Sequence, residues 1–340
     1  MAVVIVSTFP PLPDGIGRYA WQQVRWLREQ GETVFTVGLP GSKAEVVIDV
    51  RGGLKPLRLL RYGWRRPMIL HWHDEFFYRG GFLRQLPTDL ALWLLYRLCR
   101  NIEVICHETY PLPSVSGWRQ VVRVVHAWAR RRVWRAASKV TFHSEVEWHK
   151  MEKTIGVRLN PPKVRIQPHG TYFVKFREVD RETARQELGI PQDVTMFLCL
   201  GFLGESKGFH RAVEAFRSLD STRARLYIVG SALYDAPEVH AYIARLRQMV
   251  EQTPGVALVE RFVSDEEFDT WLSACDVLIA PYERAFSSSV VARAKLFNRL
   301  VIASAVGGLP KEVNERDRLF RDDAELAKAM RDLLSRMPIN

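Results

Sequence analysis

The sequence alternates short apolar runs with helical segments of mixed polarity, and this alternation occurs twice along the chain. In the first half, an apolar run over Val3–Ser7 precedes a turn rich in proline and glycine, a helical segment over Arg18–Glu29 and a second apolar run over Thr33–Gly38. This succession is typical of a parallel α/β unit. Further strands are predicted over Met68–His71, Val104–Cys106, Lys139–His143 and Val164–Gln167, and further helices over Thr88–Arg100, Arg119–Ala136 and Glu145–Ile155.

The pattern starts again after a junction near Thr171–Asp180. Strands are predicted over Thr195–Leu200, Arg225–Val229, Val256–Val259, Val277–Ala280 and Leu300–Ala303, and helices over Phe209–Leu219, Val239–Glu251, Asp265–Ala274, Val290–Leu296 and Ala324–Arg336. We therefore expect an α/β fold with two doubly wound parallel sheets, in domains spanning residues 1–172 and 173–340. Ligands of such sheets bind beyond the carboxyl ends of the strands, and two facing sheets would form a cleft.

Length and composition agree with two globular domains. The 340 residues are 47% hydrophobic and 26% charged, which excludes a disordered, collagenous or disulfide-scaffold protein. No apolar run reaches the roughly 18 residues of a membrane span, and the start of the chain indicates a first strand and not a signal peptide. The four cysteines lack metal-ligand spacing, so we expect core thiols in a reducing cytoplasm.

Charge and tryptophan are distributed unevenly between the two halves. Residues 1–172 contain 26 basic and 13 acidic residues, a net charge of +13, whereas the remainder contains 23 basic and 25 acidic residues. Nine of the ten tryptophans also lie in the basic half. A basic half favours an anionic partner such as lipid headgroups, nucleic acid or a phosphorylated substrate. The alternative is a solubilising surface, which does not explain the tryptophans.

The order and spacing of several motifs resemble the family-four glycosyltransferases, whose GT-B fold consists of two Rossmann-like domains. The matching stretches are FPPLPDGIGRYA, HWHDE, VICHETYP, VTFHS and IQPHGTYF in the first half, and GFLGESKG, LYIVGS, FVSDEEFDTWLSACDVLIAPY and VIASAVGGLPKEV in the second. The resemblance implies a nucleotide diphosphate sugar as donor, bound mainly by the second domain, and an acceptor bound mainly by the first. It also implies transfer with retention of anomeric configuration, without a metal or other cofactor.

The resemblance assigns donor phosphates to the GFLGESKG turn, which contains Gly201 and Lys207. A diphosphate leaving group gains negative charge as the glycosidic bond breaks, and a lysine between a strand and a helix N-terminus can stabilise that charge. Relatives often carry an arginine before the lysine, but here the corresponding positions are Phe202 and Gly204. The alternative is a solvated loop lysine.

The glycine loop of the first half contains Asp14, Gly15, Gly17 and Arg18. Gly15 and Gly17 would let the backbone approach a phosphate or sugar closely. By resemblance we assign the two glycines to the donor, and Asp14 and Arg18 to the acceptor side. The alternative is a tight turn from strand to helix.

The chain departs from the family's pair of glutamates, which contact the transferred sugar and the donor ribose. The corresponding positions hold Ala285 and Arg293, and Glu283 lies two residues out of register. We predict that Arg293 compensates by pairing with a donor phosphate or a neighbouring acid. Nearby, Ser287, Ser288 and Ser289 precede a predicted helix, where hydroxyl and N–H groups would bind a diphosphate or simply cap the helix.

Three further sets of site residues follow from the resemblance. His73 matches the histidine near the donor sugar, and because His71 alternates with it along a strand, one of the two is expected to point into the core. His107 and Asp74 are assigned to the acceptor side. The two histidines and Asp74 also suggest a metal site, but no supporting cluster accompanies them. Arg261 and Phe262 fall where relatives hold the nucleotide base through backbone contacts.

The segment WRQVVRVVHAWARRRVWR at residues 118–135 has six arginines and no acidic residue, and RLLRYGWRR at residues 58–66 has similar chemistry. Aromatic and basic amphipathic segments are typical of proteins on an anionic membrane surface. A helix packed on the core with a solvated arginine face is the alternative. No nucleic-acid motif is present, so we expect no nucleic-acid partner.

Two functions remain from the sequence. The first is a retaining hexosyltransferase at the cytoplasmic membrane face, acting in polysaccharide or glycolipid biosynthesis. The second is a catalytically silent relative that binds a nucleotide sugar or glycan without transfer, which the missing glutamate pair suggests.

Overall fold

The computed structural model describes residues 2–12, 14–79, 85–232, 235–285 and 287–337. The chain divides into two compact units, Met1–Tyr172 and Phe173–Asn340, which we call unit 1 and unit 2. Within the described residues, no helix is both long and apolar enough to span a lipid bilayer.

Unit 1 is a parallel sheet with helices. Its strands are β1 (Val3–Ser7), β2 (Val34–Gly38), β3 (Val46–Val47), β4 (Met68–His73), β5 (Ile102–Glu108), β6 (Lys139–Phe142) and β7 (Val164–Ile166). Its helices are α1 (Gly15–Glu29), α2 (Leu60–Gly63), α3 (Asp74–Phe77), α4 (Leu86–Leu98), α5 (Arg119–Ala136) and α6 (Glu145–Ile155). The described strands pair in the order β3-β2-β1-β4-β5-β6-β7, and all of these pairs are parallel.

Unit 2 repeats the same winding. Its strands are β8 (Thr195–Leu200), β9 (Ala224–Gly230), β10 (Val256–Glu260), β11 (Val277–Ala280), β12 (Leu300–Ser304) and β13 (Arg318–Phe320). Its helices are α7 (Arg181–Leu188), α8 (Phe209–Phe216), α9 (Pro237–Glu251), α10 (Asp265–Ala274), α11 (Ser289–Leu296), α12 (Leu309–Glu312) and α13 (Asp323–Arg336). The order is β10-β9-β8-β11-β12-β13, again with parallel pairs among the described strands.

The predicted α/β class and the two doubly wound parallel sheets are confirmed. All six residues of the central strand β8 are buried, as expected for a parallel sheet covered on both faces. The four cysteines are buried free thiols, also as predicted. The sequence analysis missed the edge strands β3 and β13 and the helices α2, α3 and α12. These elements have two to four residues, which is too short for apolar periodicity to be recognised.

A buried arginine connects several elements of unit 2. Arg185 on α7 is completely buried and its guanidinium lies 2.6 Å from a carboxylate oxygen of Asp276, which precedes β11. It also donates to the backbone carbonyls of Val194, at 2.8 Å, and Ala274, at 2.9 Å. Each of these bonds satisfies a buried polar group, so Arg185 ties α7 to the start of β8 and the end of α10.

The core of unit 1 contains four histidine rings around Tyr19 of α1. The ring centroids of His71, His107, His143 and His169 lie 4.8–5.6 Å from that of Tyr19. His71 Nδ1 is 3.0 Å from His107 Nε2. Burial lowers the pKa of all four imidazoles, to about 3 for His71 and about 4 for His143. The folded chain therefore holds these rings in the neutral form.

We expect the free energy of unfolding to decrease as the pH falls from about 7.5 to about 5. In the unfolded chain these histidines have a pKa of about 6.5 and bind protons as the pH falls, whereas the folded rings stay neutral. At about pH 5 this difference lowers the free energy of unfolding by about 2 kcal/mol per histidine. The pKa of His73 is raised, so this single histidine has the opposite effect and offsets only part of the effect of the other four. Denaturant unfolding at the two pH values measures the change.

The matched variants are His143→Gln and His149→Gln. The first removes one of the four buried rings and should reduce the pH dependence by about one quarter. The second alters an exposed ring on α6 and should leave it unchanged. An unfolding free energy that is independent of pH in this interval would contradict the assignment.

Candidate functional site

In unit 2, the predicted donor residues lie at the carboxyl ends of the neighbouring strands β8 and β11. Gly201 directly follows β8 and has a φ of +130°. A Cβ on Gly230, at the end of β9, would lie 1.7 Å from the carbonyl oxygen of Gly201. A Cβ on Gly208 would lie 2.1 Å from the carbonyl oxygen of Pro281, which follows β11. These close backbone contacts fix the turn that carries Lys207 against the residues after β11.

Lys207 lies in a 3-10 turn over Glu205–Lys207, directly before α8. Its Nζ is 4.0 Å from the centroid of the Tyr282 ring, a cation–π contact. Burial lowers the pKa of Lys207 to about 8, and the nearby charge of Glu312 opposes this shift. The ammonium group therefore loses its proton more easily than that of an ordinary lysine. An anion that comes close to it would stabilise the protonated form.

The serine run brings a helix N-terminus to the same place. Ser288 is the N-cap of α11, and its hydroxyl accepts from the N–H of Val291 at 3.2 Å. The same hydroxyl is 3.2 Å from the hydroxyl of Tyr282. The N–H of Ser288 donates to both carboxylate oxygens of Glu312, at 3.0 and 3.1 Å. The capping alternative thus holds for Ser288, and Ser287 and Ser289 flank it at the start of α11.

Arg293 is buried and pairs with acids. Its guanidinium is 2.8 Å from Asp265 and also binds Asp269, both on α10. It lies over the ring of Phe268, 4.2 Å from the centroid. Of the two predicted partners, a donor phosphate or a neighbouring acid, these contacts favour the acid. The predicted catalytic role of Arg293 is not supported by them, because the charge is neutralised by two carboxylates.

The turn after β10 carries Arg261 and Phe262. The Arg261 guanidinium forms a bidentate pair with Glu267 of α10, and 46% of Phe262 is exposed. The side chain of Arg261 is therefore engaged locally. The expected backbone contacts of Arg261 and Phe262 with a nucleotide base stay a prediction.

In unit 1, the glycine loop forms the start of α1. Asp14 is its N-cap and accepts from the N–H of Gly17 at 2.5 Å. A Cβ on Gly17 would lie 2.9 Å from the carbonyl oxygen of Thr8, whereas nothing lies within 4 Å of a Cβ on Gly15. Packing therefore requires glycine at position 17, and Asp14 is engaged in capping. Gly15 is exposed and Arg18 is partly exposed.

His73 ends β4 and faces the end of β5. Its Nε2 is 3.3 Å from a carboxylate oxygen of Glu108, and its ring lies 5.9 Å from that of Tyr110. Burial disfavours the charged imidazole, but the hydrogen bond and charge of Glu108 outweigh burial and raise the pKa of His73. His71, by contrast, is completely buried, so the expected division between the two histidines is found.

Asp74 and His107 are both committed to contacts within unit 1. Asp74 is buried and binds Arg130 at 2.6 Å, the indole N–H of Trp72 at 2.9 Å and the N–H of Tyr110 at 2.8 Å. The prediction that Asp74 orients an acceptor is not supported, since its oxygens hold three donors. His107 belongs to the histidine cluster around Tyr19, with its pKa lowered by burial.

The basic helix α5 presents apolar residues outward, not toward the core. The exposed fractions are 64% for Trp118, 67% for Val121, 65% for Val124 and 54% for Trp128. The alternative, in which these side chains pack on the core and leave a solvated arginine face, therefore does not hold for them. Instead, the buried positions of α5 are His126, Arg130, Val133 and Trp134.

The sequence did not single out Tyr282 or Glu312, which contact Lys207 and Ser288. Both lie within quoted stretches, at the end of FVSDEEFDTWLSACDVLIAPY and in VIASAVGGLPKEV, so their motifs offered a signal. Among the described residues, one group has three potential cation ligands within 4.8 Å of one another, namely Glu205, His210 and Glu283. Glu205 also binds Arg245 at 2.7 Å, which competes with any cation.

Residues 195–336 match the family described as "Glycosyl transferases group 1". A D-inositol 3-phosphate glycosyltransferase of a Nocardioides species is 31% identical over 167 residues, which cover 46% of this chain and 36% of that protein. The same enzyme of Streptomyces scabiei is 30% identical over 192 residues, covering 51% and 41%. The match thus spans about two fifths of the length of these relatives.

Solved structures share the fold over nearly the whole chain. Sucrose-phosphate synthase from Thermosynechococcus elongatus has a TM-score of 0.68 at 18% identity, covering 99% of this chain and 90% of that one. Anabaena Alr3699/HepE, solved in complex with UDP and glucose, has a TM-score of 0.66 at 14% identity with the same coverage. The predicted resemblance and fold are confirmed: the chain is similar to the group 1, family-four glycosyltransferases and has the GT-B fold.

Proposed function

We propose that this protein is a glycosyltransferase that moves a sugar from a nucleotide diphosphate sugar to a glycan or lipid-linked acceptor with retention of configuration. The observation that carries the proposal is the cluster of Lys207, Tyr282 and Ser288 at the carboxyl ends of β8 and β11. It lies within the residues that match the group 1 family. The complexes of the Anabaena relative with UDP and with UDP-glucose support a nucleotide sugar as donor.

The donor diphosphate would bind between Lys207 and the N-terminus of α11. Glu312 already accepts the N–H of Ser288 with both oxygens, so this helix end stabilises an anion in the folded chain. The hydroxyl groups of Ser287 and Ser289 flank the same N-terminus. Together with Gly201, Arg261 and Phe262, these residues are the proposed donor site of unit 2.

Lys207 would stabilise the leaving group as the glycosidic bond breaks. The electron pair of that bond passes to the diphosphate oxygen, and a preorganised cation in a buried site lowers the energy of this charge separation. Since Lys207 and the α11 N-terminus supply positive charge, we propose that the reaction needs no metal or other cofactor. Retention would follow if the acceptor attacks from the face that the diphosphate leaves.

Unit 1 would supply the acceptor side. The raised pKa of His73 favours its protonated form, which donates a hydrogen bond to a sugar hydroxyl and need not act as a base. Gly15, Gly17 and Arg18 at the start of α1 would take part in substrate binding. His107 contacts His71 and the Tyr19 ring within the histidine cluster, so its contribution would be to support this edge of the sheet.

We also propose that the protein acts as a hexosyltransferase in polysaccharide or glycolipid biosynthesis, at the cytoplasmic face of a membrane. The net charge of +13 in residues 1–172 and the exposed apolar residues of α5 support peripheral binding to anionic lipid. A nucleotide-sugar binder without transfer activity is the second candidate, because Arg293 replaces a family glutamate and is neutralised by acids.

Replacing Lys207 with alanine should weaken donor binding by about tenfold to a hundredfold, since a charge-assisted hydrogen bond contributes about 1.5–3 kcal/mol. Titration calorimetry with a panel of nucleotide diphosphate sugars measures the loss. Lys328→Ala, on the exposed surface of α13, is the matched control and should bind as the wild type does. Equal affinity of the two variants would refute the site, and tight donor binding without turnover across donors and acceptors would favour the silent binder.

Donor affinity should fall by up to about tenfold between about pH 7 and pH 9. With a pKa of about 8, Lys207 is mostly charged at the lower pH and mostly neutral at the higher one, so the diphosphate loses its cation as pH rises. Lys207→Arg stays charged over this range and should bind with little pH dependence. A wild-type affinity that does not change with pH would show that Lys207 does not contact the donor.

The wild-type protein should sediment with anionic vesicles and not with neutral ones, and binding should weaken as salt increases. Each basic residue near an anionic leaflet contributes on the order of 1 kcal/mol, screened over a Debye length of about 8 Å. The double variant Arg119→Glu/Arg132→Glu should lose this binding, because both side chains are exposed on α5.

The matched control is Arg321→Glu/Lys328→Glu, which makes the same charge change on exposed positions of unit 2. It should sediment like the wild type. Arg130 is unsuitable for reversal because it is buried with Asp74. Equal binding to neutral vesicles would exclude an electrostatic contribution, and equal loss in both double variants would show that α5 has no special role.

A further inference from the structure

A cavity in unit 1 lies between α5, α6 and the segment that follows β5. Its volume is about 310 Å³, at the lower end of small-ligand pockets. Among the described residues that line it, none is acidic and four are basic, namely Arg123, Arg130, Arg131 and Lys153. His73 and Glu108 are not among its lining residues.

The positive charge in this cavity is only partly neutralised. Arg130 is committed to Asp74 at 2.6 Å and to the carbonyl oxygen of Tyr110 at 3.1 Å. Arg131 makes only a long bond of 3.4 Å to the carbonyl oxygen of Ile155. The Nε atoms of Arg123 and of the buried Arg130 have no hydrogen-bond partner among the described residues. An anion in the cavity would satisfy these donors and offset the repulsion between the cations.

The backbone around Arg131 leaves room for its guanidinium. Gly156 has a φ of +69°, and a Cβ there would lie 2.9 Å from Arg131 Nη2. A side chain at this position would thus push the guanidinium away from the end of α6. The arrangement keeps Arg131 in the cavity wall and covers the Ile155 carbonyl, which would otherwise repel an anion.

Apolar surface surrounds the cavity. Val124 lines it and is also 65% exposed, and Val121 and Val125, within one turn, are exposed as well. Leu112 and Pro111 line the opposite side. A ligand that combines a phosphate with hydrocarbon matches this pairing of cations and apolar side chains.

We propose that this cavity binds the phosphomonoester headgroup of an anionic lipid, while the outward residues of α5 contact the acyl region. The inference rests on the proposed membrane association and adds a chemical selectivity to it. Arg123, Arg131 and Lys153 would hold the phosphate oxygens, with Arg130 held in place by Asp74. Simple attraction between charges would not distinguish a phosphate from any other anionic group of equal charge.

The test uses the full chain and two vesicle preparations of equal surface potential. Both contain phosphatidylcholine, one with phosphatidic acid and the other with oleic acid, whose anionic group is a carboxylate. We expect the wild type to bind the phosphatidic acid vesicles at least about fivefold more tightly, since bidentate phosphate contacts of arginine are stronger than a general surface charge.

Two double variants that each remove two positive charges separate the cavity from the helix surface. Arg123→Gln/Lys153→Gln should abolish the preference for phosphatidic acid. Arg119→Gln/Arg132→Gln, on exposed positions of α5, should weaken binding to both vesicles equally and keep the preference. Circular dichroism and donor affinity, measured on the same samples, report folding and the proposed donor site independently.

The outcomes are distinguishable. Vesicle binding without a preference, or a preference lost equally in both variants, would overturn the cavity proposal and leave the membrane proposal standing. Absence of vesicle binding would overturn both, without affecting the donor site. Tight binding of soluble glycerol 3-phosphate without a vesicle preference would assign the cavity to a free phosphate compound. Binding of an oligonucleotide more tightly than of phosphatidic acid vesicles would assign it to nucleic acid. Either result would overturn the proposed lipid ligand.

Discussion

Parallel pairing of the strands is the constraint on which the rest of the structure depends. Because the described strands of each sheet run in one direction, their carboxyl ends collect at a single edge, and every loop that leaves this edge is brought near its neighbours. In unit 2 this juxtaposes the turn after β8 with the residues after β11, although some 75 residues separate Lys207 from Tyr282. In unit 1 it gathers histidines from β4, β5 and β6 around Tyr19.

Cationic side chains inside this protein have two kinds of surroundings. Three arginines each form a buried ion pair with a carboxylate, namely Arg185, Arg130 and Arg293. Removing one partner of such a pair leaves an unpaired charge inside the protein, which is destabilising. Lys207 instead lies over an aromatic ring, and burial outweighs the nearby charge of Glu312. Among the described residues Lys207 therefore lacks the direct carboxylate partner that each of the three arginines has.

The sequence predicts the fold well because its signals are local. Apolar runs bounded by glycine and proline mark most strands, and the predicted bounds of β1, β8, β11, α5, α6 and α10 agree with the structure. The site is predicted less well because the use of a side chain depends on distant partners. Asp74 binds Arg130, 56 residues away, and nothing near either residue reveals this. For the same reason the sequence leaves open whether Ser288 caps a helix or binds a diphosphate, and whether Val121 and Val124 face outward or toward the core.

The pairing of Arg293 also bears on how such a sequence changes over time. Glutamate in place of Arg293 would lie beside Asp265 and Asp269, so three carboxylates would meet where one cation now neutralises two. The contact with the Phe268 ring would be lost as well. Such a substitution would be tolerated only after the loss of one or both aspartates, so the order in which substitutions can accumulate here is constrained by electrostatics inside unit 2.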